Sequence, residues 1–200
     1  MMKKLPVDFY TREDVVAVAR ELVGKIIVSR TGGQSTAGRI VETEAYRAFT
    51  DRASHAYAGR RTPRNEAMYA PGGTLYVYIC YGLHQMVNVV TNRKDVPDAV
   101  LIRAIEPIEG LEWMEIRTGK KRDDPTLTRG PGNVGKALGI HKAHSGSSLR
   151  GKEIFLAGDG WEMAPGDLGI SPRIGVDSAG DDALRPYRFF LKGNLYVSRG

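Results

Sequence analysis

The stretch that most constrains the fold is Thr74–Thr91, TLYVYICYGLHQMVNVVT, in which two apolar runs flank a short turn. Because successive residues of a strand point to opposite faces, the first run places Tyr76, Tyr78 and Cys80 on one side of a predicted β-hairpin. The second run is rich in β-branched residues, which suit a half-buried pleated surface. Tyr81 falls at the tip, before a glycine that permits the positive φ of a tight turn. Its ring either packs in an ordinary hairpin or projects and wedges into a partner.

A second informative segment is Ala37–Tyr46, AGRIVETEAY, which predicts a strand. Strand alternation places one apolar residue, two glutamates and a tyrosine on the same face: Ile40, Glu42, Glu44 and Tyr46. Glutamate is uncommon in strands, and a buried carboxylate is costly unless it is paired. This face is therefore either solvated, or it lines a cleft in which one glutamate acts as a general base.

Between these two segments lies a long irregular stretch, Arg47–Gly73, which contains the run GRRTPRN. Loops of this length inside a compact domain are usually functional. The run concentrates three arginines, and the guanidinium fork matches phosphate oxygens. A basic run is more often only a solvated surface, but its position between the carboxylate strand and the hairpin favours a phosphate-backbone contact.

Arg103 interrupts the apolar run of the predicted strand Ala99–Ile105, AVLIRAI. An arginine among buried residues needs a partner, and the carboxylates of Glu42 and Glu44 are the candidates. Such an ion pair would at least stabilise the fold. Beside a catalytic glutamate, the arginine would also orient the acid and a water molecule.

Composition narrows the class of protein. Hydrophobic residues make up 42% of the 200 residues and charged residues 26%, which indicates a globular chain rather than a disordered one. The formal charge of +6 favours a polyanionic partner such as nucleic acid. The single cysteine excludes an internal disulfide and a thiolate cluster, and the four histidines lack the spacing of a metal site. We therefore expect no metal and no cofactor.

No signal peptide, membrane span, internal repeat or interdomain linker is visible in the sequence, so we expect a cytoplasmic protein with one domain over residues 1–200. Periodicity predicts helices at Thr11–Gly24 and Pro107–Arg117 and short strands at Arg173–Val176 and Leu195–Ser198. The expected fold is α+β, with a curved, mostly antiparallel sheet flanked by helices and with the hairpin protruding from it.

Several blocks of the sequence resemble those of the alkyladenine (3-methyladenine) DNA glycosylases of bacterial type. They are VETEAY, HAYAGRRTPRN, GGTLYVYICYG, LIRAIEP, GPGNVGKALGI, PRIGV and RPYRFFLKGN. The resemblance extends from about Phe9 to Ser198. It implies a monomeric, monofunctional enzyme of base excision repair, without lyase activity, that acts on duplex DNA in the bacterial nucleoid. The enzyme would flip an alkylated or deaminated purine out of the helix and hydrolyse its N-glycosidic bond. The family's fold is similar to the C-terminal domain of a tRNA-formylating enzyme.

The resemblance also implies roles for individual residues. Glu44 would be the general base for the attacking water, and Arg103 would help to position that water. The flipped base would stack between aromatic groups, and a further residue would obstruct the exocyclic amine of guanine. These pocket residues are Tyr46, His55, Tyr78 and Asn88.

Contacts with DNA follow in the same way. Tyr81 would be inserted into the helix in place of the flipped nucleotide, and Met68 would press on the opposite strand. The backbone phosphates near the flipped site would be approached by Arg60, Thr62 and Arg64.

The chain departs from the family pattern at His84-Gln85-Met86, where a more aromatic run is common, and at Asn133 and Gly135. These departures concern the range of accepted lesions, hypoxanthine among them. An alternative function is a non-catalytic, basic nucleic-acid-binding module. A glycosidase acting on carbohydrates would require two opposed carboxylates, whereas Glu42 and Glu44 are predicted to point the same way.

Overall fold

Nine strands form one sheet in the computed structural model, which describes residues 2–199. They are β1 (Lys3–Lys4), β2 (Ile26–Ser29), β3 (Thr36–Tyr46), β4 (Leu75–Cys80), β5 (His84–Thr91), β6 (Asp98–Glu109), β7 (Ile154–Gly158), β8 (Leu168–Ser171) and β9 (Arg188–Leu191). The main path runs β1-β7-β2-β3-β6-β5-β4, with β9 paired to β3 and β8 to β9. Every strand pair is antiparallel. The fold is a single domain with a curled antiparallel sheet and a few helices, as expected for the α+β class.

The α-helices are short and pack on one side of this sheet. They are α1 (Val7–Tyr10), α2 (Val15–Leu22), α3 (Leu111–Thr118) and α4 (Pro131–Leu138). Five 3₁₀ segments lie at Thr31–Gly33, Glu66–Tyr69, Pro125–Leu127, Lys142–His144 and Asp177–Leu184.

Two helix predictions were wrong at their starts. The helix expected over Thr11–Gly24 begins only at Val15, because Asp14 caps it by accepting hydrogen bonds from two backbone amides at 3.0 and 3.2 Å. The helix expected over Pro107–Arg117 begins at Leu111, since strand β6 continues to Glu109 through pairing with β3.

Two strand predictions were also wrong. The segment Arg173–Val176 is irregular, and the strand that pairs with β9 is β8, a few residues earlier. Residues 195–198 form a turn rather than a strand. Both segments carry hydrogen bonds to buried carboxylates instead of ladder partners, through the amides of Ile174 and Ser198.

Register divides the central sheet into two chemically different faces. On one face, four residues lie opposite one another across β3, β6, β5 and β4, namely Ala45, Val100, Val89 and Leu75. All four are fully buried and belong to the main hydrophobic core, which helices α2 and α4 cover. The next position along each strand points to the other face and gives a row in which three of the four side chains carry polar groups: Glu44, Leu101, Asn88 and Tyr76.

A bulge in β3 separates Ile40 from the glutamates. The register of β3 against β6 shifts on both sides of Glu42, so Ile40 pairs with Ile105 in the core while Glu42 and Glu44 point to the opposite face. The predicted four-residue face was therefore wrong for Ile40 and holds for the two carboxylates.

The β4–β5 hairpin closes with a three-residue loop in which Leu83 donates its amide to the Cys80 carbonyl at 3.1 Å. Tyr81 has φ 50° and is 90% exposed at the tip. Helix α4 packs against the start of β5, next to the hairpin turn, and Gly135 lets the helix backbone approach closely, since a Cβ there would lie 2.2 Å from the Gln85 carbonyl oxygen. Within residues 2–199, no helix is both long and apolar enough to cross a membrane.

Candidate active site

The carboxylate of Glu44 lies at the centre of the polar face and is fully buried. One oxygen accepts a hydrogen bond from the Ile174 amide at 2.8 Å and lies 3.3 Å from an Arg103 guanidinium nitrogen. The other oxygen accepts the Tyr46 hydroxyl at 2.8 Å. A carboxylate has about four acceptor positions. These three contacts fix its orientation and leave one position for a further donor, such as water.

Arg103 connects this carboxylate to a second one. Its Nε donates to Glu42 at 3.3 Å, so both glutamates offered as partners by the sequence contact the same guanidinium. Glu42 also accepts Arg188 Nε at 2.6 Å and the Ser198 amide at 2.9 Å. Glu42 therefore holds Arg103 in place. Arg188 was not predicted as a partner, although an arginine within the apolar RFFL strand carries the same signal as Arg103.

Aromatic side chains on β3 and β4 line the slot beside these carboxylates. The rings of Tyr76 and Tyr78 are stacked with centroids 5.5 Å apart, and His55 meets Tyr78 edge-on at 4.5 Å. A small cavity of about 30 Å³ lies at the inner end of the slot, bordered by these rings together with Tyr46 and Asn88. All four predicted pocket residues are thus brought together.

The position of His55 is set by hydrogen bonds at both its backbone and its ring. The ring Nδ1 lies 2.9 Å from the Tyr76 hydroxyl, and the backbone carbonyl accepts a hydrogen bond from Asn65 at 3.0 Å. Burial, reinforced by the charges of Arg64 and Arg60, lowers the pKa of His55 to about 4. The imidazole is therefore neutral near pH 7 and presents a flat, uncharged surface to the slot.

Burial also raises the pKa of the Tyr46 phenol well above its usual value, and the neighbouring Glu44 carboxylate adds to this effect. The phenol remains protonated and so serves as a hydrogen-bond donor to Glu44. Tyr46 thus has two functions in this site, as a wall of the slot and as a donor to the carboxylate.

The slot opens into a groove of about 660 Å³ that runs towards the hairpin tip. Its border includes Arg103 at the floor and Tyr81 at the rim. The three residues predicted to approach phosphates also border it, namely Arg60, Thr62 and Arg64.

Not every arginine of the GRRTPRN run faces this groove. Arg61 forms ion pairs with Glu66, at 2.5 Å, and with Asp95, at 3.0 Å. Its charge is locally compensated, whereas Arg60 forms no ion pair with any residue of the described chain. The run therefore divides into an internally paired arginine and two that border the groove.

Met68 lies behind the slot in the free protein. It is only 2% exposed, packs in a small cluster with Tyr76 and Val90, and borders the inner cavity. In this position it supports the inner end of the slot, and its contact with a DNA strand stays a prediction.

A buried ion pair next to the slot was also missed. Arg173 donates to Asp51 at 2.5 and 2.9 Å, and both side chains are fully enclosed. The two residues are 122 positions apart and lie in irregular segments, so no periodic pattern could have paired them. Arg173 also donates to the Ala45 carbonyl at 2.9 Å, next to Glu44 in β3.

The arrangement as a whole can bind a flat ring between aromatic walls and place a carboxylate and a guanidinium at its edge. No group of three or more His, Cys, Asp or Glu residues suited to a metal ion is found within the described chain. The chemistry that these side chains can provide themselves is general-base activation of water.

Comparison with known proteins gives a consistent result over the whole chain. The family model described as methylpurine-DNA glycosylase (MPG) matches residues 8–195. A relative from Desulfitobacterium hafniense is 43% identical, covering 98% of this chain and 99% of its own length. One from Bacillus licheniformis is 45% identical, covering 98% and 96%, and one from Chlorobaculum tepidum is 44% identical, covering 99% and 92%. Each bears the name "Putative 3-methyladenine DNA glycosylase".

Proposed function

Because the chain belongs to the methylpurine-DNA glycosylase family, we propose that it is a monofunctional DNA glycosylase that releases damaged purines from duplex DNA. The damaged nucleotide is flipped out of the helix and its base enters the slot between Tyr46 on one side and His55 and Tyr78 on the other. Water then hydrolyses the N-glycosidic bond and leaves an abasic site.

The chemical step uses Glu44 as the general base. Water, held between Glu44 and Arg103, transfers a proton to the carboxylate while its oxygen attacks the deoxyribose C1′. The bond from C1′ to the purine nitrogen breaks, and its electron pair leaves with the base. A cationic alkylated purine leaves as a neutral molecule, whereas a neutral base such as hypoxanthine must also gain a proton.

Stacking in the slot offsets the free-energy cost of base flipping. Each base stacked on an aromatic side chain gains about 1–3 kcal/mol, which offsets the few kcal/mol lost when a damaged base leaves the helix. The three rings all border the groove, and the centroids of His55 and Tyr78 lie 4.5 Å apart. Asn88, whose amide donates to the carbonyls of Tyr76 and Met86, is fixed in place to obstruct the amine of guanine.

On the DNA side, Tyr81 fills the gap left by the flipped nucleotide, and Arg60, Thr62 and Arg64 approach the phosphates. The proposal includes a monomeric enzyme and a fold shared with the C-terminal domain of a tRNA-formylating enzyme. We also expect no lyase activity, because no lysine borders the slot or groove among the described residues. Lyase chemistry needs such an amine as nucleophile.

The observation that carries the proposal is a fully buried glutamate, with one acceptor position left, whose three partners, Tyr46, Arg103 and Ile174, all border the groove. A pure binding module would have no use for a buried carboxylate where an anionic backbone must approach. This feature favours catalysis over binding alone.

The test is Glu44→Gln, assayed for base release from duplexes with single 3-methyladenine, 7-methylguanine or hypoxanthine lesions. The glutamine keeps an acceptor for the Ile174 amide but cannot take a proton, so we expect single-turnover release to fall by at least about 100-fold. Binding to the same duplexes should persist. Unchanged release by Glu44→Gln would leave the non-catalytic module as the better hypothesis.

A further inference from the structure

Arg173 occupies an unusual position beside the slot. Its guanidinium carbon lies 4.8 Å from the ring centroid of Tyr46 and 5.4 Å from that of Tyr187, so the cation is held between two aromatic faces. The hydrogen bonds to Asp51 and to the Ala45 carbonyl fix it there. None of these hydrogen bonds is made to Glu44 itself.

The guanidinium lies over the ring of Tyr46 but outside the slot. Tyr46 borders both the inner cavity and the groove, whereas Arg173 borders neither and its side chain is fully enclosed. The ring of Tyr46 thus has a place for the base on one face and a permanent cation on the other.

The cation behind Tyr46 affects how well a charged base, compared with a neutral one, stacks on the ring. An aromatic ring attracts a cation through the negative potential of its face. A cation already bound to one face opposes a second cation on the other, and a neutral base is unaffected by this opposition. Asp51 compensates the charge of Arg173, but the guanidinium is the member of the pair that contacts the ring.

We propose that the Arg173–Asp51 pair determines how strongly the slot prefers cationic bases over neutral ones, with Arg173 as the specificity-determining residue and Asp51 as its compensating charge. The inference rests on the proposed function, because it assumes that a purine stacks on Tyr46. Arg173 weakens the advantage of cationic alkylated purines at this wall, so the slot also accepts neutral purines.

The variants Asp51→Asn and Asp51→Asn/Arg173→Gln separate charge from structure. Asparagine has the shape of aspartate and still accepts a hydrogen bond, but it leaves the guanidinium uncompensated. At an effective dielectric constant of about 20, unit charges about 8 Å apart alter an equilibrium constant by roughly thirtyfold. The double variant removes both charges and leaves no buried ion without a partner.

The measurement is the dissociation constant for two duplexes, one with 7-methylguanine, a cation, and one with hypoxanthine, which is neutral. Both lesions carry a 2′-fluorine, which resists cleavage, so the affinity ratio reports stacking rather than chemistry. We expect Asp51→Asn to lower the preference for the cation by at least about threefold relative to the unmodified protein. The double variant should raise it by at least about threefold relative to Asp51→Asn. Arg173→Lys, which keeps the charge, should stay within about twofold of the unmodified protein.

A merely structural role predicts a different result, in which both affinities fall together and their ratio is the same in every variant. That result would overturn the inference. If Asp51→Asn, which leaves a buried cation without its partner, does not fold, the double variant decides alone. A preference for the cation in that variant no higher than that of the unmodified protein would equally overturn the inference. Failure of the proposed function is distinguishable, because the unmodified protein would then release neither base from unfluorinated duplexes.

Discussion

Glu42 and Glu44 are two residues apart on one strand and equally buried, yet their partners give them different roles. Glu42 accepts from two arginines and a backbone amide, and two of these partners, Arg188 and Ser198, do not border the groove. Glu44 accepts from an amide and a phenol and shares Arg103 with Glu42. Since the two residue types are identical, only the identity of their partners distinguishes the carboxylate that holds Arg103 from the one proposed as the general base.

His55 provides a prediction for pH. Its pKa is lowered from 6.5 to about 4 in the folded protein, first by burial and then by Arg64 and Arg60. As the pH falls below about 6.5, the unfolded chain gains a proton on this histidine and the folded chain does not, so unfolding is favoured. We expect this residue to contribute a loss of roughly 2–3 kcal/mol in the free energy of unfolding between about pH 6.5 and pH 4.

The measurement is urea unfolding at about pH 7.5 and about pH 4.5. In His55→Gln the drop in stability between the two values should be smaller, because glutamine does not titrate and its amide can still bond to Tyr76. His141→Gln, on the surface, is the matched control and should behave like the unmodified protein. An identical drop in His55→Gln and the unmodified protein would mean that the histidine is not held neutral.

The hairpin tip combines exposure with strain. Tyr81 has a positive φ, which is unusual for a residue with a large side chain and costs about 1–2 kcal/mol relative to the ordinary region. The following residue, Gly82, also has a positive φ of 71°, so the turn is of the kind that prefers asparagine followed by glycine. Strain of this kind in an exposed ring indicates that the side chain is kept for a purpose other than stability.

Tyr81→Asn should therefore separate stability from function. We expect the free energy of unfolding to stay the same or to rise by up to about 1 kcal/mol, because asparagine tolerates this backbone conformation. Release of hypoxanthine should fall by at least about tenfold, since no ring is left to fill the gap in the helix. The two quantities are measured by thermal unfolding and by single-turnover assay. Parallel losses in both would indicate that Tyr81 stabilises the fold rather than contacting DNA.

The contact between α4 and the hairpin gives a further prediction. Gly135→Ala would place a methyl group 2.2 Å from the Gln85 carbonyl oxygen, so the helix or the start of β5 must move. We expect a loss of about 1–3 kcal/mol in the free energy of unfolding, as for other overpacked contacts. Gly158→Ala in β7 is the control, because it has open space and an ordinary φ, and it should be nearly neutral. Equal stability of both variants would mean that α4 does not clamp the hairpin.

How much of the structure could be predicted from the sequence depends on how far apart in the chain the interacting residues lie. Alternation along β4 and the hairpin turn are local, and the tyrosines and Tyr81 lie where local patterns place them. The bulge in β3 depends on pairing with β6, so Ile40 was assigned to the wrong face. The pairing of Arg188 with Glu42, 146 positions away, is fixed by the topology of the sheet, so the apolar run around Arg188 signals only that this arginine needs a partner and not which one.

Across the molecule as a whole, some basic residues are paired with carboxylates and others are not. The formal charge is +6, but many basic residues are neutralised within the protein, as Arg61 is by Glu66 and Asp95. What attracts a phosphate backbone is the set of cations whose charge is not compensated nearby. In the groove these include Arg60 and Arg64, the latter making a hydrogen bond only to a backbone carbonyl, and Arg52 also borders the groove without an ion pair among the described residues.

This distribution predicts how binding depends on salt. Each phosphate contact that is lost reduces the slope of log affinity against log salt concentration by about 0.9 on duplex DNA. Arg60→Ala and Arg64→Ala should therefore each lower the slope by roughly one unit for any duplex, damaged or not. Arg61→Ala is the matched control from the same run. It should leave the slope unchanged, because its charge is already paired with two carboxylates. Fluorescence anisotropy with a labelled duplex at several salt concentrations measures all three slopes. If Arg61→Ala reduced the slope as much as Arg60→Ala, net charge rather than the arrangement of the groove would control association with DNA.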